Sequence, residues 1–136
     1  DMLILNDSEA RELTGCDNVV RSGRLLQELG PRFVAVKKGE HGCLLFGPNG
    51  QLFAAPAYPL DEVHDPTGAG DCFAGGLVGH LAAAGDTSFD ALKHAVISGS
   101  TVASYNVQAF STRKLEALQD GDIHARRGEF AGLTRF

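Results

Sequence analysis

The sequence predicts an α/β layered domain, and three observations carry the prediction. Short apolar runs of strand length alternate with helical stretches that end at glycine. Pro48-Asn49-Gly50 is a strong hairpin signal between two further strand candidates. The resulting order, β-α-α-β-β-β-α-α, is that of helices layered on a sheet.

Residues 2–5 form a continuous apolar run, as a buried parallel strand would. A polar Asn6-Asp7-Ser8 opens a short helix through Leu13 that stops at Gly15. A second helix is expected from Val19 to Leu29, with Leu25, Leu26 and Leu29 on one side, closed by Gly30-Pro31. Residues 32–37 (RFVAVK) read as another buried strand, ended by Gly39-Glu40-His41-Gly42. Residues 43–46 and 51–54 flank the hairpin turn. After a proline-marked connection over 56–66, the pattern turns helical from Gly70, with Phe73, Leu77 and Leu81 at i, i+4, i+8 and Ala74 and Val78 alongside. Gly75, Gly76 and Gly79 each weaken that helix by roughly 1 kcal/mol relative to Ala, and close approach to a neighbouring backbone is the expected compensation. Gly85 ends it. A further helix spans 88–104, with Phe89, Leu92, Val96, Gly99 and Ala103 on one stripe. A shorter one begins near Thr112, and the charged tail, 120–136, shows no clear pattern.

The 136 residues suffice for one domain with a real core. Twelve Lys and Arg against seventeen Asp and Glu give a net charge of -5. No basic stripe is available to neutralise phosphates, which argues against nucleic acid as a partner. Lys37-Lys38 and Arg126-Arg127 are the tight basic pairs, read as solvated surface. Cys16, Cys43 and Cys72 form neither a CxxC pair nor a disulfide framework, which fits a reducing, cytoplasmic location. No apolar run is long enough to cross a bilayer, and no signal peptide or His-rich metal spacing is present. Because the chain enters directly on a strand, it is expected to be a piece of something longer.

The chemistry concentrates in His64-Asp65-Pro66-Thr67-Gly68-Ala69-Gly70-Asp71. Gly68 and Gly70 allow a ligand close to the backbone, and the free N–H groups of a first helical turn favour an anion such as phosphate. A carboxylate beside a phosphate cradle repels its ligand, so Asp71 suits a proton acceptor for an attacking alcohol better than a binding group. Alone, GAGD reads first as an acidic helix start, stabilised by about 0.3–1 kcal/mol through the helix dipole. The segment lacks GK[ST] and the GxGxxG spacing, which excludes a P-loop and a dinucleotide fingerprint.

The whole run DPTGAGDCFAGGL resembles the C-terminal signature of the PfkB carbohydrate kinases, the ribokinase-like family, with pattern D-x-x-G-A-G-D-x-F. Asp65, Gly68, Ala69, Gly70, Asp71 and Phe73 meet every fixed position. The resemblance implies a ribokinase-like, Rossmann-type layered sheet with flanking helices, of which this chain would be the C-terminal ATP-binding half, residues 1–136. It implies ATP-dependent phosphorylation of a sugar or nucleoside hydroxyl. Asp71 would be the catalytic base, and the backbone of Gly68, Ala69 and Gly70 the anion hole. Asp65 and Thr67 would help hold a monovalent cation such as K⁺, and Ser111, in the loop NVQAFS, could add to it.

Asn6 and Glu9 match the family's N-x-x-E element, which organises Mg²⁺ and the phosphates largely through water; by themselves they read as a capping box. Gly39 and Gly42 resemble the family's strand-to-turn element that contacts ATP, although a tight turn alone also needs glycines. Ser98 lies where relatives wall the adenine with small residues, and a core helix is an equal reading. Asn6, Gly39 and the 65–71 loop each follow a strand, so all three are expected at the carboxyl edge of the sheet, where ligands of open α/β sheets bind.

The N-terminal half of such kinases, with most sugar contacts and the β lid that often mediates dimerisation, has no counterpart here. The chain alone is therefore expected to lack sugar kinase activity, and a homodimer is expected of the longer protein. Two alternatives stand beside the sugar or nucleoside kinase. One is a non-catalytic nucleotide-binding module. The other is a related vitamin-type kinase, a group that commonly carries Cys where this chain has Asp71.

Overall fold

The computed structural model describes residues 1–111 and 113–135. The chain divides into two units, Asp1–Ala57 and Tyr58–Phe136.

The first unit contains the sheet. Its strands β1 (Met2–Asn6), β2 (Phe33–Lys37), β3 (Cys43–Phe46) and β4 (Leu52–Ala55) lie in the order β1-β2-β3-β4. β1 runs parallel to β2, with Met2 opposite Phe33 and Asn6 opposite Lys37. The next two pairings are antiparallel. A parallel pair needs a long crossover, and helices α1 (Asp7–Thr14) and α2 (Val19–Glu28) supply it. β2 sits between two strands, and Phe33, Val34, Ala35 and Val36 are all buried, as a continuous apolar run requires. β1 is parallel as expected but forms the edge of the four-stranded sheet. Only Leu5 is buried along it, while Met2, Leu3 and Ile4 are half-buried.

Strand alternation sends Val34 and Val36 to one face. There they join Leu5, Ala10, Leu26, Leu44 and Phe46 in a core cluster. Leu26 is fully buried, which stabilises the fold by about 1.5–3 kcal/mol relative to exposure. Leu29, expected on the same stripe, is 73% exposed. It is the C-cap, beyond the last full turn of α2, so the helical period no longer holds it against the sheet. Both helices start at asparagine caps, Asn6 and Asn18, and α1 ends at left-handed Gly15.

The hairpin between β3 and β4 turns through Pro48–Gly50, with Asn49 at φ 56. Arg24 on α2 donates to the Gly50 carbonyl at 2.8 Å and the Gln51 carbonyl at 3.2 Å, and lies 5.2 Å from the Phe46 ring centre. One side chain thus ties the hairpin to the crossover helix.

The second unit is helical: α3 (Ala69–Ala84), α4 (Phe89–Asn106), α5 (Arg113–Glu116) and α6 (Asp120–Leu133). The short helix expected near Thr112 begins at Arg113; Thr112 itself lies outside the described residues. α3 and α4 pack along their length. A Cβ at Gly76 would stand 3.1 Å from the Gly99 Cα, and one at Gly99 would stand 2.5 Å from the Phe73 carbonyl. The close approach expected of the α3 glycines is therefore real at Gly76. It is absent at Gly75 and Gly79, where nothing among the described residues lies within 4 Å of an added Cβ. Gly79→Ala should accordingly stabilise the chain by about 0.5–1 kcal/mol through helix propensity alone. An unchanged or lower thermal midpoint would contradict that reading.

Phe73 and Leu77 are buried on α3 as the spacing predicts, whereas Val78 is 57% exposed on the opposite side. The tail that showed no clear pattern is a full helix, α6, with Phe130 buried. The three cysteines are free. Among the described residues no helix is long and apolar enough to cross a membrane.

Candidate active site

The segment 64–71 is shaped by hydrogen bonds that its own residue types make possible. Asp65 accepts from the Thr67 N–H at 2.9 Å, an Asx turn. That bond and the Thr67 side chain hold the Asp65 carboxyl below its usual range, so acidification disturbs this turn only once pH falls below about 3.8. The N–H groups of His64 and Asp65 both donate to the Val107 carbonyl, at 2.8 and 3.3 Å. Asn106, only 2% exposed, donates its side-chain amide to the Thr67 carbonyl at 2.8 Å.

Gly68 follows at φ 80 and is the N-cap of α3. The left-handed backbone suits glycine, since a side chain there costs about 1–2 kcal/mol. It swings the chain directly into the helix with no side chain capping the first turn. A helix start leaves its N–H groups without intrahelical partners. Ala69 N–H is engaged by the Pro66 carbonyl at 3.2 Å, which takes one of the three expected anion-hole amides into the loop itself. Asp71 is the third helical residue and is exposed. Burial, and then the Asp71 charge, push the neighbouring Cys72 thiol up, keeping it protonated beside the carboxylate.

The structure brings Asp65, Thr67 and Ser111 together: the Ser111 N–H faces the second Asp65 oxygen at a long 3.5 Å. Ser111 holds φ 57, uncommon for a residue with a side chain. Ser98 is buried on α4. Its hydroxyl donates to the His94 carbonyl at 3.0 Å and pairs with His80 Nδ1 at 3.1 Å. Burial, then Arg127 and His94, lower the His80 pKa, which favours the neutral ring.

The remaining candidates lie in the sheet unit. Asn6 and Glu9 form a complete capping box, with Glu9 N–H to Asn6 Oδ1 at 2.8 Å and Asn6 N–H to Glu9 Oε2 at 2.7 Å. Glu9 is exposed. Gly39 and Gly42 make the turn after β2, at φ 56 and 84. Asn6 pairs with Lys37, so the α1 cap and this turn emerge at the same carboxyl edge of the sheet. Among the described residues no three His, Cys, Asp or Glu side chains gather to hold a metal.

Two contributors escaped the sequence reading. Asn106 is the first residue of the loop NVQAFS, but its bond to Thr67, 39 residues away, carries no sequence signal. Arg126 was read as solvated surface. Instead its guanidinium lies 3.4 Å from the Tyr105 ring centre and 5.0 Å from that of Tyr58, a stacking that sequence spacing does not reveal.

Comparison with known proteins identifies the setting. Cytidine kinase of Thermococcus kodakarensis is 36% identical over 80 residues, 57% of this chain and 28% of that protein. The bifunctional protein HldE of Pseudomonas syringae pv. tomato is 33% identical over 117 residues, 82% of this chain and 23% of that protein. Among solved structures, aminoimidazole riboside kinase from Salmonella enterica, complexed with aminoimidazole riboside and an ATP analog, matches at TM-score 0.81 and 26% identity, covering 93% of this chain and 41% of that one. Fructokinase from Vibrio cholerae, in a form with fructose, ADP and calcium ion, shares the fold at TM-score 0.82 and 23% identity, over 92% and 40% of the two chains. The chain thus spans 28% and 23% of these two curated relatives, and 41% and 40% of these two solved ones. The profile of the pfkB family carbohydrate kinases matches residues 1–118, and the chain belongs to that family.

Proposed function

We propose that the chain supplies the phosphoryl-transfer part of an ATP-dependent kinase acting on a sugar or nucleoside hydroxyl. The observation that carries this reading is the uncapped start of α3, where left-handed Gly68 opens the first turn and Asp71 stands within it. Backbone N–H groups and the positive end of the helix dipole favour the charge on a transferring phosphoryl group. The Asp71 carboxylate takes the proton of the acceptor O–H. The acceptor oxygen then bonds to the γ-phosphorus as the bond from that phosphorus to the bridging oxygen breaks, and ADP leaves with the electron pair.

Gly68 and Gly70 supply the anion-hole amides, and Ala69 joins them if its N–H leaves the Pro66 carbonyl. Gly39 and Gly42 border the nucleotide, and Ser98 serves an adenine wall only as a packed small residue, since its hydroxyl is engaged by His94 and His80. Mg²⁺, when bound, neutralises phosphate charge. Glu9, supported by Asn6, would hold it through water, and an ion held by one carboxylate, water and phosphates needs no larger protein cluster. The meeting of Asp65, Thr67 and Ser111 supports a monovalent cation site beside the loop.

Because the chain covers only 41% of a kinase of this fold, we propose that acceptor binding depends on further sequence and that the 136 residues alone do not turn over. The test is acceptor-dependent ADP release with ATP and Mg²⁺ over a panel of nucleosides and sugars, run on the complete protein and on this chain. Acceptor-dependent release by the complete protein alone is expected. ATP binding without release for any acceptor would point instead to a non-catalytic nucleotide module.

A further inference from the structure

We infer that Arg126 is a positioning residue for the phosphoryl-transfer loop, acting from a helix that lies beyond the residues matched by the family profile. The inference rests on the proposed function of that loop.

Arg126 on α6 grips the end of α4. Its two terminal nitrogens donate to Ser104 Oγ at 2.9 Å and Gln108 Oε1 at 3.0 Å. Its guanidinium carbon also lies over the Tyr105 ring, 3.4 Å from the centre, and 5.0 Å from the centre of the Tyr58 ring. Tyr105 returns the contact by donating its hydroxyl to the Asp122 carbonyl at 2.9 Å. Residues 104, 105 and 108, at the end of α4 and in the turn after it, are therefore all contacted by one side chain. Arginine suits this task because its fork donates in two directions while its face stacks on aromatic rings.

The same turn of chain holds the loop. Asn106 and Val107, which lie between the gripped residues, supply the Thr67 contact and the carbonyl that receives the His64 and Asp65 N–H groups. Thr67 immediately precedes Gly68, where the cradle begins. A path of hydrogen bonds joined by the backbone of residues 104–108 runs from Arg126 through the end of α4 to the loop that precedes Asp71. Displacement of that loop by about 1 Å is enough to cost a large part of the rate.

The test uses the complete protein with Arg126→Ala, Arg126→Lys and the control Thr134→Ala, which removes the hydroxyl bonds to the Phe130 and Ala131 carbonyls at the end of α6 and none of the Arg126 contacts. Arg126→Ala should lower kcat about 10–100-fold with KM for ATP changed by less than about threefold, since a misplaced group loses transition-state interactions. Hydrogen exchange at the His64 and Asp65 amides should accelerate in parallel. Arg126→Lys should rescue little, because an ammonium lacks the fork, and Thr134→Ala should lower thermal stability slightly while leaving kcat and loop exchange near wild type. Unchanged loop exchange in Arg126→Ala, or faster exchange at wild-type kcat, overturns the inference, as does an equal loss of kcat in Thr134→Ala. A wild-type protein that transfers no phosphoryl group overturns the proposed function instead, and with it the catalytic meaning of this path.

Discussion

Gly42→Ala should destabilise the Asp1–Ala57 unit by about 2–6 kcal/mol, a large share of the total stability of an ordinary domain. Two independent costs add there. Gly42 holds φ 84, and forcing a side chain into that region costs about 1–3 kcal/mol. The new Cβ would also stand 2.0 Å from the Ala55 carbonyl oxygen and 2.8 Å from the Ala57 nitrogen. Those are backbone atoms that cannot rotate aside, and overpacking of this kind costs about 1–3 kcal/mol more. Gly39→Ala separates the two costs. Gly39 shares the left-handed backbone at φ 56, but among the described residues nothing lies within 4 Å of its added Cβ. Urea unfolding should therefore place Gly39→Ala between wild type and Gly42→Ala. Equal midpoints for the two variants would show that the clash contributes nothing.

The comparison of sequence with structure follows the range over which each signal acts. The strands were legible because each is a run of apolar residues cut off by turn formers: residues 43–46 coincide with β3, and 32–37 differ from β2 by the exposed Arg32 alone. Gly15 and Gly85 were legible as helix ends because both adopt the left-handed conformation that glycine tolerates. The edge position of β1 was not, since an apolar run says which residues prefer burial and not how many neighbours the strand finds. α6 was illegible for a different reason. It is anchored by one buried phenylalanine, a stacked arginine and a tyrosine bond to a backbone carbonyl, none of which repeats along the sequence.

The candidate site divides in the same way. Asp65, Thr67, Gly68, Gly70 and Asp71 are neighbours in sequence, and their turn chemistry could be read directly. The supports at Asn106 and Val107 come from about 40 residues away and show themselves only in the folded chain, whereas Ser111 was reached through the family resemblance. The cap of Asn6 and Glu9 illustrates a third case. The structure makes both capping bonds, so the local reading is satisfied in full, and a role toward Mg²⁺ must coexist with it.

Asp71→Asn carries the largest expected effect on activity. Asparagine keeps the size of the side chain and a polar group at the third position of α3, so the turn from Gly68 into the helix is retained. It cannot accept the acceptor proton. Loss of a positioned general base costs about 10²–10⁴-fold. If Asp71 is the proposed base, removing its negative charge from beside the phosphates should leave nucleotide affinity equal or slightly tighter, because like charges repel. Loss of affinity together with turnover would mean that Asp71 holds the helix start and not the proton.

The most direct measurement is therefore made on one preparation of the complete protein carrying Asp71→Asn: calorimetric titration with ATP and Mg²⁺, followed by single-turnover transfer of the γ-phosphoryl group to the acceptor. The account predicts ATP affinity at or above wild type and transfer slowed by at least about 10²-fold. Transfer at a near wild-type rate would contradict it.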